Sequence, residues 1–94
     1  MTDFNWNDLR AFLAVARTGR LTAAAARLGA DHTTVARRIA ALEAALGARL
    51  FDRSPQGYAL TAHGERLMPS AEQVESLTLR AAGQVGAADQ TLTG

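Results

Sequence analysis

A chain of 94 residues has room for one small domain. With 48% apolar residues, only 5% aromatics and Ala at 21 positions, it reads as close-packed helices rather than a disordered segment or a β-sandwich; the lack of Cys and the presence of only His32 and His63 exclude a disulfide framework, a thiolate zinc site and a histidine metal cage. The net charge of +1 conceals a basic middle: residues 17–53 carry seven Arg against Asp31, Glu43 and Asp52, between acidic flanks, which suggests a surface facing a polyanion.

The first helix is predicted from about Trp6 to Thr18, because Trp6, Leu9, Phe12, Leu13 and Ala16 share one face at helical spacing. Asn5 caps its start and Gly19 supplies a left-handed stop. Thr22 reads as the cap of a short second helix, Ala23 to Leu28. Its four consecutive alanines (23–26) favour a helix and let a neighbour approach closely. Asp31 caps a third helix with an apolar stripe at Val35, Ile39, Leu42 and Leu46, closed by Gly47. Short helix, Gly-containing turn and longer helix form a helix-turn-helix, although any small helical bundle shows the same pattern.

Leu50–Arg53 and Tyr58–Leu60 read as two strands about the turn Ser54-Pro55-Gln56-Gly57. Two strands are marginal alone, so this hairpin must lean on the helices as a wing. Thr61 caps a last helix from Ala62 to about Ala88, roughly 40 Å long and too long to lie within so small a domain. Pro69 predicts a bend or break in it. Leu67, Val74, Ala81 and Ala88 recur every seven residues, with Leu77 and Val85 nearby, a partial seam for a partner helix or for the domain's own core. Gln90–Gly94 reads as a frayed tail. The expected organisation is therefore 1–61 as a compact head, 62–89 as a linker helix and 90–94 as the tail.

The third helix carries the chemistry. On a wheel of ~100° per residue, the side away from its apolar stripe holds Thr33, Ala36, Arg37, Ala40 and Ala44. Small residues around one cation fit a major groove ~12 Å wide. Arg37 can reach guanine O6 and N7 bidentately, or a phosphate; Thr33 and Ala36 can touch a thymine methyl, and His32 can donate to a base or phosphate. The helix N-terminus and the Thr34 hydroxyl favour a phosphate. Arg38 borders the core side and either pairs with an acid or touches phosphate. Arg53 pairs with Glu43 or contacts phosphate.

The run Thr22-x-Ala24-Ala25-x-x-Leu28, then Val35-x-Arg37-x-Ile39-x-x-Leu42-Glu43-x-x-Leu46-Gly47-x-x-Leu50-Phe51-x-Arg53, then Leu60-Thr61-x-x-Gly64, resembles the DNA-binding domain of the LysR-type transcriptional regulators. The resemblance covers nearly all of residues 4–88. It implies a mainly α fold, a winged helix-turn-helix of three helices and a two-stranded wing, followed by a long linker helix through which two chains dimerise. It further implies that the second and third helices read the major groove, with the wing at the adjacent minor groove.

Carried over by position, the family's base and phosphate contacts fall on His32, Thr33, Ala36 and Arg37, with the wing tip at Gln56. Thr22, Thr34, Arg38 and Arg53 complete the expected DNA-facing set, and Leu67, Val74, Leu77, Ala81 and Val85 the expected dimer seam. Five positions depart from the family pattern. Asp31-His32-Thr33 stands where Ser-Gln-Pro is common, which keeps the cap and alters base preference. Ala36 replaces a hydroxyl residue and loses a hydrogen bond to DNA. Gln56 replaces a basic wing tip, which weakens the preference for narrow A-tract grooves.

The expected function is sequence-specific binding of double-stranded DNA at an inverted-repeat operator, as a homodimer, with tetramers reserved for a full-length regulator. The abrupt end reads as that of a fragment lacking the family's effector-sensing domain. The alternative is a short dimerising form that antagonises a full-length regulator through protein contacts. No cofactor, metal or catalysis is expected, because no Ser-His-Asp set, phosphate loop or metal-ligand spacing appears; His63 reads as a surface or wing-packing residue. No apolar run approaches ~18 residues and the N-terminus holds Asp3 and Asp8, so no membrane span or signal peptide is read, and a cytoplasmic placement is expected.

Overall fold

Apolar spacing in the first three helices sets the architecture. In the computed structural model, which describes the backbone of residues 5–93 and the side chains of residues 5–85, α1 (Trp6–Thr18), α2 (Leu21–Leu28) and α3 (His32–Leu46) surround one core. An antiparallel hairpin of β1 (Phe51–Ser54) and β2 (Gly57–Leu60) follows, and then α4 (Ala62–Thr93).

Helix α1 is the axis of the head. Leu9, Ala11, Phe12, Leu13, Ala14 and Val15 are all buried, a wider band than its apolar spacing predicts, because α2, α3, β2 and α4 all pack on it. Asn5 caps it as expected, its side chain accepting the Asn7 amide at 2.8 Å. Helix α2 starts earlier than expected, at Leu21 rather than Ala23, so Thr22 lies inside the first turn and is not the cap. The Thr18 hydroxyl organises this entry by donating to the Ala14 carbonyl at 2.7 Å and accepting the Arg20 amide at 3.4 Å. Leu21 packs against the core, and its burial draws it into the helix.

Asp31 caps α3 through a 2.7 Å bond from the Thr34 amide to Oδ1. Val35, Ile39 and Leu42 are buried as the stripe requires, whereas Leu46, expected on the same buried side, is 37% exposed. It occupies the final residue of α3, where the helix has run past the core. The next anchor is Leu50, whose amide donates to the Glu43 carboxylate at 2.8 Å.

The hairpin pairs Phe51 with Leu60 and Ser54 with Gly57, so Pro55 and Gln56 form its tip. Phe51 is buried, with ring centroids 5.4 Å from Phe12 and 5.8 Å from Tyr58. The Tyr58 amide donates to the Gly19 carbonyl at 2.8 Å. A two-stranded hairpin too small to be stable alone is thus pinned to the α1–α2 turn.

Thr61 accepts the Gly64 amide at 3.1 Å and donates to the Arg49 carbonyl at 2.6 Å, which starts α4 against the hairpin. Leu67, Met68 and Ala71 pack on the core. The helix passes Pro69 without the break allowed for by the sequence, and it continues through Thr93 instead of ending near Ala88; Gln90–Thr93 is helical backbone, and Gly94 lies outside the described residues. Pro69 is exposed, so its missing donor costs one backbone bond on the solvent side and disturbs no packing. At 32 residues, α4 is long enough to account for the longest dimension of the molecule, 49 Å.

Candidate nucleic-acid interface

The cap at Asp31 decides which side chains the first turn of α3 presents. Its carboxyl lies below the ordinary value of 3.8, held there first by the Thr34 backbone N–H, then by the Thr34 hydroxyl and the nearby His32 and Arg37 charges. Asp31 is therefore an anion already engaged by the helix it starts. With Val35 and Ile39 turned inward, His32, Thr33 and Arg37 are exposed, and Thr34, Ala36 and Arg38 are half-buried at the edges of the same face. No member of the expected DNA-facing set is buried.

The remaining members sit on neighbouring elements. Thr22 is exposed in the first turn of α2, and Gln56 is exposed at the wing tip, where its amide donates to the Ser54 hydroxyl at 3.2 Å. Arg53 is exposed on β1 and does not pair with Glu43. Its guanidinium lies 5.4 Å from the centroid of the Tyr58 ring, its cross-strand neighbour, while the Glu43 carboxylate holds the Leu50 amide. Nor does Arg38 have an acidic partner among the described residues.

The ion pair recorded among the described residues joins Arg17 to Glu75. Of the seven arginines in the basic window, Arg20, Arg27, Arg37, Arg38, Arg49 and Arg53 have no carboxylate within ion-pair distance among those residues, so their charge is available to an outside anion. Arg20, outside the expected DNA-facing set, lies at the start of α2 beside Gly57 of the wing. Its signal was legible: a cation in the basic window with no acid three or four residues away.

The expected dimer seam divides in two. Leu67 packs against its own core, because the first turns of α4 are still covered by the head. Val74, Leu77 and Val85 are 39%, 60% and 65% exposed, and Ala81 is exposed between them. No group of His, Asp or Glu among the described residues is arranged to hold a metal ion, and none of the helices is long and apolar enough to cross a membrane.

Two helices at a tight turn, the second presenting a sparse cationic face, with a hairpin and a long trailing helix, define a winged helix-turn-helix protein. Residues 6–65 match the family described as bacterial regulatory helix-turn-helix protein, lysR family, and the chain belongs to that family. Over 80 residues it is 40% identical to a probable hydrogen peroxide-inducible genes activator of Mycobacterium leprae, covering 81% of this chain and 26% of that protein. Over 70 residues it is 47% identical to the HTH-type transcriptional regulator YofA of Bacillus subtilis, covering 74% and 25%. The chain thus spans about a quarter of the length of these relatives. Among solved structures, the DNA complex of the CbnR DNA-binding domain superposes with a TM-score of 0.80 at 36% identity, covering 92% of this chain and 99% of that one. The complex of the BenM DNA-binding domain with benA site 1 DNA gives 0.80 at 25% identity, covering 89% and 94%.

Proposed function

We propose that this chain is the DNA-binding module of a LysR-type transcriptional regulator and reads double-stranded DNA as a homodimer in the cytoplasm. Residues 1–61 form the reading head, in which α3 enters the major groove with His32, Thr33, Ala36 and Arg37 toward base edges. Thr22, Thr34, Arg38 and Arg53 face phosphates, and Gln56 faces the minor groove. Residues 62–89 join two chains along Val74, Leu77, Ala81 and Val85. The observation that carries this reading is the sparse, small-residue outer face of α3 around an exposed Arg37 with no carboxylate partner among the described residues, on a fold shared with the DNA complexes of CbnR and BenM.

Two heads related by a two-fold axis require an inverted repeat, with half-sites about one helical turn or a multiple apart. Selection of bound sequences from random duplex DNA tests symmetry and spacing together. Enrichment of a spaced inverted repeat is the expected result. A pool that stays random while the chain dimerises and remains folded would instead favour the antagonist reading.

The wing makes a second, smaller prediction. Gln56→Arg should tighten binding a few-fold at operators with A/T flanks, because a narrow minor groove concentrates negative potential around an inserted cation. Titrations against A/T-flanked and G/C-flanked operators check it; an equal gain on both would take Gln56 out of the minor groove.

A further inference from the structure

Arg17 and Glu75 face each other in a bidentate arrangement. Arg17 Nη1 donates to Glu75 Oε2 at 2.8 Å and Nη2 to Oε1 at 2.7 Å. Exposed ion pairs usually contribute little, but a two-point guanidinium–carboxylate contact is the geometry in which they do, and it constrains orientation as well as distance. The two side chains are 36% and 28% exposed, so they are partly withdrawn from solvent. The bond from Arg17 holds the Glu75 carboxyl below its ordinary value, with Arg17 and Arg27 adding favourable charge.

The place of the pair in the fold gives it meaning. Arg17 stands in the last turn of α1, the helix against which α2, α3 and β2 are packed, so it moves with the reading head. Glu75 stands one turn beyond Ala71, the last fully buried residue recorded on α4. Past it, Leu77, Leu79 and Val85 are all 60% exposed or more. The salt bridge is therefore the outermost polar fastening between α4 and the head among the described residues.

We propose that Arg17 and Glu75 form a clamp that sets the angle of α4 to the reading head and thereby the half-site spacing the dimer accepts. This rests on the DNA-binding and α4 dimerisation proposed above. From Glu75 to Thr93 the helix extends a further ~27 Å. A tilt of ~10° over that arm displaces its end by ~5 Å, more than one base step of 3.4 Å. Neither residue touches DNA in this scheme; both are positioning residues. The pair is invisible to local sequence patterns, because its members lie 58 positions apart.

Two measurements on the whole chain test the clamp. The first does not involve DNA. The sequence has no Cys, so Ala41→Cys on α3 and Gln84→Cys on α4 accept spin labels at those two positions alone. With labelled chains diluted by unlabelled ones, the distance between these labels should have a narrow distribution. Glu75→Gln should broaden it, whereas Arg27→Gln, which removes only a neighbouring charge, should not. The second measurement compares operators whose half-sites are moved together or apart by one base pair. Glu75→Gln should lower the preference for the best spacing over its neighbours about fivefold, with affinity for an isolated half-site unchanged.

An unbroadened distribution in Glu75→Gln overturns the clamp. A broadened distribution with an unchanged spacing preference overturns its role in spacing. Failure of the unaltered chain to bind any duplex overturns the DNA-binding reading and, with it, the role in spacing, while the label distances still decide whether the clamp exists.

Discussion

Arg37→Ala is expected to weaken duplex binding by about 1–3 kcal/mol, roughly five- to 150-fold. Arg37 is exposed on α3, a turn after Thr33, and has no carboxylate partner among the described residues. Its removal therefore leaves the core untouched, and stability should change by no more than about 0.5 kcal/mol. The loss would report on the interface alone. Its form separates the two contacts open to a guanidinium. If Arg37 reads guanine, one position of the operator loses its base preference; if it holds a phosphate, all sequences weaken alike and the slope of log K against log salt falls by about 1. Titrations at several salt concentrations, on the selected operator and on its single-base variants, make the distinction. An unchanged affinity and slope would remove the outer face of α3 from the interface.

Gly64→Ala is expected to destabilise the head by about 1–2 kcal/mol. A Cβ on Gly64 would fall against the Leu50 carbonyl oxygen and 2.7 Å from Leu60 Cδ2. Leu50 has little freedom to retreat. Its carbonyl accepts the Thr61 amide at 3.0 Å, and its own amide is held by Glu43 at 2.8 Å. Forcing a methyl into such a contact costs about 1–3 kcal/mol, offset by up to about 1 kcal/mol for the better helix propensity of Ala. For a domain of this size the net loss lowers Tm by roughly 5–15 °C, readable as thermal unfolding by circular dichroism. An unchanged or higher Tm would mean that α4 and the hairpin separate at little cost. Because α4 is also the proposed dimerisation element, the same substitution should loosen the link between the two heads.

The features legible in the sequence are those decided within a few residues. Asn5, Asp31 and Thr61 each meet an amide two or three positions ahead, so their caps follow from residue type and place. Gly19, Gly29 and Gly47 close α1, α2 and α3 in left-handed backbone for the same local reason. The stripe Val35, Ile39 and Leu42 points inward, and that alone turns Thr33 and Arg37 outward. The candidate interface was thus readable from periodicity, because a helix has only one way to bury its apolar side.

Features that depend on distant neighbours were decided elsewhere. Thr22 has the side chain of a cap, but the burial of Leu21 and the Thr18–Arg20 turn move the start of α2 past it. Leu46 continues the stripe of α3, yet the core ends before it does. Glu43 and Arg53 are complementary in charge, and the Leu50 amide takes the carboxylate first. Leu67 belongs to the heptad spacing of α4 and to the core of its own chain, and the packing of the first turns settles which. The meeting of Arg17 with Glu75 left no trace in local pattern at all. Periodicity and capping act over a turn or two of chain, so they assign elements and their faces. Where those faces end, and which charges meet, depends on how separate elements pack, and that is a property of the assembled core.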